Sequence, residues 1–259
     1  MNLDDRAQIR TLAVALLVSL VLWNLPFGGG VLYPFKQLAT WFHEMSHGLL
    51  MVITGAQLDH VVIYRDTSGL SYPVSSVEPM GTAAIAAAGY MGTPLWGALM
   101  LVTTPTPRPA RIALIVLGAT MVATAIFVVK PTPGGSYFGP YIVAGIGMSM
   151  VLSGGVLPGR LAVFFAHFIA AQACINALLD IRVLFRPMQV VNGMVAGTSD
   201  STAMAESTFG TREPWAVTTW ALLWLVWSLF VLFAALWISG SQATRRQHDR
   251  RTQPVAGQP

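Results

Sequence analysis

The chain has 259 residues, 54% of them hydrophobic and only 10% charged, with a mean hydropathy of +0.60; an ordinary soluble domain carries about 25% charged residues. This composition excludes a soluble protein and implies a polytopic membrane protein. The net charge of +4 does not point to nucleic acid, and the single cysteine, Cys174, rules out an intrachain disulfide or a cysteine metal cluster.

Seven apolar segments follow one another, each near the length that crosses ~30 Å of hydrocarbon. They run roughly over residues 8–27, 31–54, 81–103, 110–129, 137–156, 160–183 and 215–238. The first carries Arg6 and Arg10 ahead of its apolar run but ends in Trp23, Asn24, Pro26 and a glycine triplet. No small-residue cleavage site follows, so it reads as an uncleaved span. Pro34 and Lys36 interrupt the second, which is expected to be tilted or partly inserted. Short joints rich in Pro and Gly separate the later spans.

Between the second and third spans, Val61 to Tyr64 and Leu70 to Val74 have strand composition around the turn Arg65-Asp66-Thr67-Ser68-Gly69. A hairpin over residues 56–75 is predicted. It is either a connecting loop or an edge to which an extended partner segment adds a strand. The third span is rich in Gly and Ala, a surface for close helix packing. On the sixth, Gln172, Asn176 and Asp180 recur at i, i+4 and i+8, a polar stripe expected to face the bundle interior. A polar loop over residues 184–214 contains Ser199-Asp200, which suits the cap of a short helix. Beyond residue 240 lies a basic tail, expected to be disordered, in which Arg245, Arg246, Arg250 and Arg251 meet anionic headgroups or set topology. With seven crossings the 15 basic residues divide almost evenly between the two sides, so charge gives no orientation.

The second span holds the residues with most chemical content, His43-Glu44-Met45-Ser46-His47. On a helix, His43 and His47 point the same way and can share one zinc ion, while Glu44 can poise a water for attack. A bound zinc lowers the pKa of that water to about 7. Ionisable groups in lipid are costly, by roughly 2.5–3.5 kcal/mol for a central charge, and so mark function. The plain alternative is a polar cluster tying helices together. A catalytic zinc takes three protein ligands and keeps one position open; Asp180 is the expected third, Asp200 the reserve, and Asn176 the expected substrate-binding residue. His60, His167 and His248 are less suited by position.

These residues resemble the site-2 protease family of intramembrane zinc metallopeptidases, and within it the compact bacterial branch without a PDZ domain. The similarity rests on His43-Glu44-x-x-His47, the hairpin with Ser68-Gly69, Gly89-Tyr90-Met91-Gly92, Asn176 to Asp180, Ser199-Asp200 and the Trp-rich last span. Where the wider family has Gly after the Asp, and Pro between the Asn and the Asp, this chain has Ile181 and no Pro. The expected architecture is an all-α polytopic membrane protein of six to seven transmembrane helices with one small β-hairpin. It forms a single domain over residues 1–240, in a bacterial cell membrane. The resemblance implies hydrolysis of a peptide bond in or near a transmembrane segment of a membrane-anchored substrate, with Glu44 as general base. The rivals are a scaffold that keeps a structural zinc and a small-solute transporter.

Overall fold

The computed structural model describes residues 3–185, 188–191 and 193–252. Among the described residues there are eight α-helices: α1 Leu3–Asn24, α2 Gly28–Thr54, α3 Pro79–Thr103, α4 Pro107–Phe127, α5 Phe138–Val156, α6 Gly159–Asp180, α7 Asp200–Phe209 and α8 Pro214–Thr252. Two antiparallel hairpins interrupt them: β1 Leu58–Ile63 with β2 Gly69–Pro73, and β3 Met188–Val191 with β4 Met194–Thr198. The all-α polytopic architecture is as the composition implies. Helices α3, α4, α5, α6 and α8 are each long and apolar enough to cross a membrane, and α1 with α2 form a further pair bent by 118°. The first two expected spans thus form either one broken span or a re-entrant loop, with Pro26 in the turn between them.

Among the described residues, the polar segment expected over residues 184–214 holds the second hairpin, entered from a 3₁₀ turn over Ile181–Phe185, and the short helix α7. Helix α8 continues through the basic stretch to Thr252, and residues 253–259 lie outside the described residues.

Small residues set the helix spacing, as expected where lipid tails are as apolar as the side chains and packing itself must hold helices together. A Cβ on Gly147 of α5 would stand 2.7 Å from the Gly118 carbonyl oxygen of α4 and 2.9 Å from Met121 Cβ. One continuous apolar core joins α2, α3, α4, α5 and α6 through Trp41, Phe42, Met100, Leu114, Val143 and Ile169. Inside it Trp41 Nε1 donates to Thr124 Oγ1 at 3.0 Å, tying α2 to α4.

The first hairpin lies along α2. Tyr33, Gln37, Thr40 and Glu44 recur at spacings of three and four, so they share one helical face, and each meets the hairpin. Tyr33 Oη donates to Arg65 O at 2.7 Å, Gln37 Nε2 to Tyr64 O at 2.9 Å, and Thr40 Oγ1 to Thr67 O at 2.6 Å. Ser71 Oγ donates to Glu44 Oε2 at 2.7 Å. The outer edge of β1 is taken up by the segment after α4: Val61 N–H donates to Val128 O and Lys130 N–H to Val61 O, at 3.0 and 2.8 Å. Gly55, in the left-handed region at φ 87°, ends α2 and turns the chain into β1.

Replacing Gly147 by Leu drives a side chain into the α4 backbone, and overpacking of this kind costs typically 1–3 kcal/mol. The expected outcome is a lowered thermal unfolding midpoint in detergent, while Gly145→Leu, at a position with open space around it, leaves the midpoint near that of the parent.

Candidate metal centre

Two faces of α2 meet two different neighbours. The face described above meets the hairpin; the adjacent face, with His43 and His47, meets α3 at Gly89. A Cβ at Gly89 would lie 2.5 Å from both Nε2 atoms, so only glycine lets the α3 backbone approach the imidazoles this closely. His47 Nδ1 lies 2.6 Å from Ile85 O, to which it donates, leaving Nε2 with its lone pair free to ligate. The ring of Tyr90 stands edge-on to His43, with centroids 4.7 Å apart, and stacks in turn on Trp224 of α8 at 5.4 Å.

The third member comes from α7. Ser199 caps that helix, its Oγ accepting from Thr202 N–H at 3.3 Å. Ser201 Oγ donates to Leu184 O at 2.8 Å and anchors the first turn. Asp200, the first residue of α7, is thereby directed at the imidazoles. Its Oδ2 lies 3.2 Å from His43 Nε2 and 3.4 Å from His47 Nε2, and the two Nε2 atoms are 3.0 Å apart. Burial alone would raise the Asp200 carboxyl; when the facing imidazoles carry protons on Nε2 they outweigh it and hold the group below the usual carboxylate range.

These separations fit zinc. Donors about 2.0–2.1 Å from a tetrahedral centre lie about 3.3 Å from one another, and the three observed distances bracket that value. The group is two neutral nitrogens and one carboxylate, a donor set zinc accepts. Among the described residues, His43, His47 and Asp200 are the His, Cys, Asp and Glu side chains gathered closely enough to hold a metal ion.

Glu44 is buried beside them, at 4% exposure. Its carboxylate is enclosed by Ser71 and by Gly69, where a Cβ would come within 2.6 Å of Glu44 Cγ. The hairpin thus fixes the orientation of the motif's acid.

Asp180 lies outside this group. It is the last residue of α6 and is exposed. Gln172, at the start of the stripe, donates to Ser19 Oγ of α1 at 2.9 Å, and eight residues at 3.6 per turn rotate Asp180 about 80° from it. Asn176 is buried, with Nδ2 donating to Gln172 O at 2.8 Å. The structure brings His43, His47 and the reserve acid Asp200 together, with Glu44 alongside. Sequence reasoning gave Gly89 and Gly69 no role at the site and left Ser71 and Tyr90 without one; the sequence-level signal was the small-residue character of α3 opposite the motif.

Comparison with known families bears directly on this arrangement. The sequence pattern of the peptidase M50B-like family matches residues 11–235. The chain belongs to the peptidase M50B-like family. The match takes in α2, the hairpin, α3, α6 and α7, so every element of the site lies within it, and it bears out the resemblance to the site-2 proteases. An M50B-like chain is of the membrane metallopeptidase kind. No curated protein and no solved structure matches the chain.

Metal titration of single variants checks the donor set. Asp200→Ala is expected to weaken zinc binding by more than the roughly 10–100-fold typical of an outer-shell change, with Asp180→Ala close to the parent. Equal losses in both variants would contradict the geometry.

Proposed function

We propose that the chain is an intramembrane zinc metalloprotease that hydrolyses a peptide bond in or near a transmembrane segment of a membrane-anchored protein. The observation that carries this reading is the adjacency of a three-donor group, two of its members on one turn of α2 and the third on α7, to a buried, oriented carboxylate, Glu44, on that same turn. A structural zinc is closed by four protein ligands, whereas three are gathered among the described residues, which leaves a position for chemistry.

His43, His47 and Asp200 hold the metal in this reading. Zinc, when bound, supplies a Lewis acid and a water acidic enough to ionise at a pH of about 7. Glu44 accepts the proton of the attacking water and returns it to the leaving amine. Ser71 keeps the Glu44 carboxylate aimed by donating to Oε2. Gly89 keeps the α3 backbone from crowding the imidazoles, and Tyr90 braces the His43 ring.

The hairpin supports an extended substrate. Ser71 pairs with Val61, whose N–H is directed away from β2 toward Val128. In an antiparallel ladder this makes Val61–Ser71 a non-hydrogen-bonded pair, so the Ser71 backbone groups point away from β1. An extended segment added there would lie beside Glu44. Extended substrate suits proteolysis, because a helical bond buries its carbonyl within the helix's own hydrogen bonds.

Glu44→Gln keeps size and removes the base, a change expected to cost roughly 10²–10⁴-fold in rate while zinc content stays at the parent level. Membrane proteomics of cells carrying parent or variant, with metal content measured in both, is the check. Accumulation of an uncleaved membrane-anchored protein in the variant supports the reading. An identical set of membrane fragments across growth conditions overturns it in favour of a zinc-bearing scaffold.

A further inference from the structure

Helix α5 is the shortest of the five spanning helices and so fixes a level in the membrane. Its 19 residues rise about 1.5 Å each, which closely matches the ~30 Å of a bilayer's hydrocarbon. The first turn of α5 therefore lies at the boundary between hydrocarbon and headgroups, and the turn of the first hairpin lies there with it. The two are in direct contact. A Cβ at Gly139 would stand 2.8 Å from Ile63 O, and Arg65 Cζ lies over the Phe138 ring, 5.1 Å from its centroid.

Between the hairpin turn and α5 is an open cleft of about 410 Å³, lined by Arg65, Ser136, Tyr137, Phe138, Tyr141 and Ile142. Its lining holds one cation and no acid. Among the described residues Arg65 forms no ion pair. The neighbouring Asp66 does not line the cleft; its carboxylate accepts from the Ser68 N–H at 3.1 Å and from the Ser68 hydroxyl, within the turn. Tyr33 Oη donates to Arg65 O at 2.7 Å, so the guanidinium is carried on a tethered backbone. Tyr137 and Tyr141 stack at 6.0 Å and are 56% and 73% exposed; such rings, apolar in body and polar at the tip, are enriched at the membrane interface. From the cleft, Tyr141, Met148 and Leu152 continue down one face of α5, and all three are exposed.

We infer that this cleft binds an anionic glycerophospholipid, with its phosphate on the Arg65 guanidinium and an acyl chain along the exposed face of α5. A planar guanidinium presents its N–H donors in a fork that matches two phosphate oxygens. The Phe138 ring holds the cation by cation–π attraction and accepts none of those donors in a conventional hydrogen bond. A zwitterionic headgroup brings a second positive charge to a cleft that no acid lines, so a headgroup of net negative charge is favoured. A water-soluble phosphate lacks the chain that would cover Tyr141, Met148 and Leu152. The site is continuous with the hairpin that encloses Glu44, since Gly69 and Ser71 follow the same turn. Lipid binding requires no catalysis and does not rest on the proteolytic reading.

Titration of the delipidated full-length protein in detergent, read by native mass spectrometry, tests the inference. With dioleoyl phosphatidylglycerol, one lipid is expected to bind ahead of the rest; dioleoyl phosphatidylcholine should show no such first event. Arg65→Gln should weaken the first event about fivefold, the effect of losing one arginine near an anionic headgroup. Arg65→Lys keeps the charge but not the fork and should lose less. Arg212→Gln, which removes an arginine already paired with Glu206 at 2.7 Å, should leave the event unchanged. Glycerol phosphate at millimolar concentration should not compete. Arg65 is exposed, so its variants should fold, and an unaltered thermal unfolding midpoint in detergent checks this. A photoreactive phosphatidylglycerol gives a second readout: its crosslinks should fall within residues 136–152 in the parent and be depleted in Arg65→Gln. Equal binding of the two lipids, parent-like affinity in Arg65→Gln, competition by glycerol phosphate, or crosslinks elsewhere each overturns the inference. Glu44→Gln protein should bind the lipid as the parent does, so failure of this site and failure of the proteolytic reading are told apart.

Discussion

The constraint on which the structure depends is that α2 places a carboxylate and two imidazoles in an apolar bundle, where water cannot answer them. A buried polar group without a partner costs about 1–3 kcal/mol, and a charged one more. The fold meets this by giving α2 a different neighbour on each polar face. The hairpin bonds to Tyr33, Gln37, Thr40 and Glu44, and α3, through Gly89 and the Ile85 carbonyl, accommodates the imidazoles. Once both partners are required to touch α2, the positions of β1, β2 and α3 are largely decided. Helix α7 has only to deliver one acid.

The local features of this arrangement were legible in the sequence, because they depend on local periodicity and on breakers. Most spans ended near the Pro and Gly clusters, and the strand composition of Val61 to Tyr64 marked the second half of β1, whereas α8 runs on past its expected end to Thr252. The metal motif was readable because four residues nearly complete a helical turn. What did not come through was nonlocal. On paper the Gln172–Asn176–Asp180 stripe favours Asp180 and leaves Asp200 in reserve, and nothing in their immediate neighbours says which is carried back to α2. That placement depends on the α3–α7 packing, between elements distant in sequence, and on the Ser201–Leu184 bond, with the Ser199 cap acting locally. The bend between α1 and α2 escaped for a similar reason: hydropathy counts apolar length and is blind to direction.

The departures from the wider family's pattern also find a place. With no Pro between Asn176 and Asp180, and Ile181 where Gly would stand, α6 stays helical to its last residue and passes into a 3₁₀ turn. An intact helix keeps the Asn176 amide on the Gln172 carbonyl and leaves Asp180 at the helix end. The acid beside the imidazoles is then supplied by a short, capped helix, which can be oriented without unwinding a span.

The hairpin has one edge sealed, since Val61 exchanges hydrogen bonds with Val128 and Lys130. A two-stranded ribbon open on both sides is a template: each strand it recruits exposes a fresh edge, and copies can stack without limit. Fixing β1 to the body of the protein removes that possibility from one direction. In a crowded membrane, where neighbouring copies are confined to two dimensions, this turns a hazard of self-association into a terminating contact.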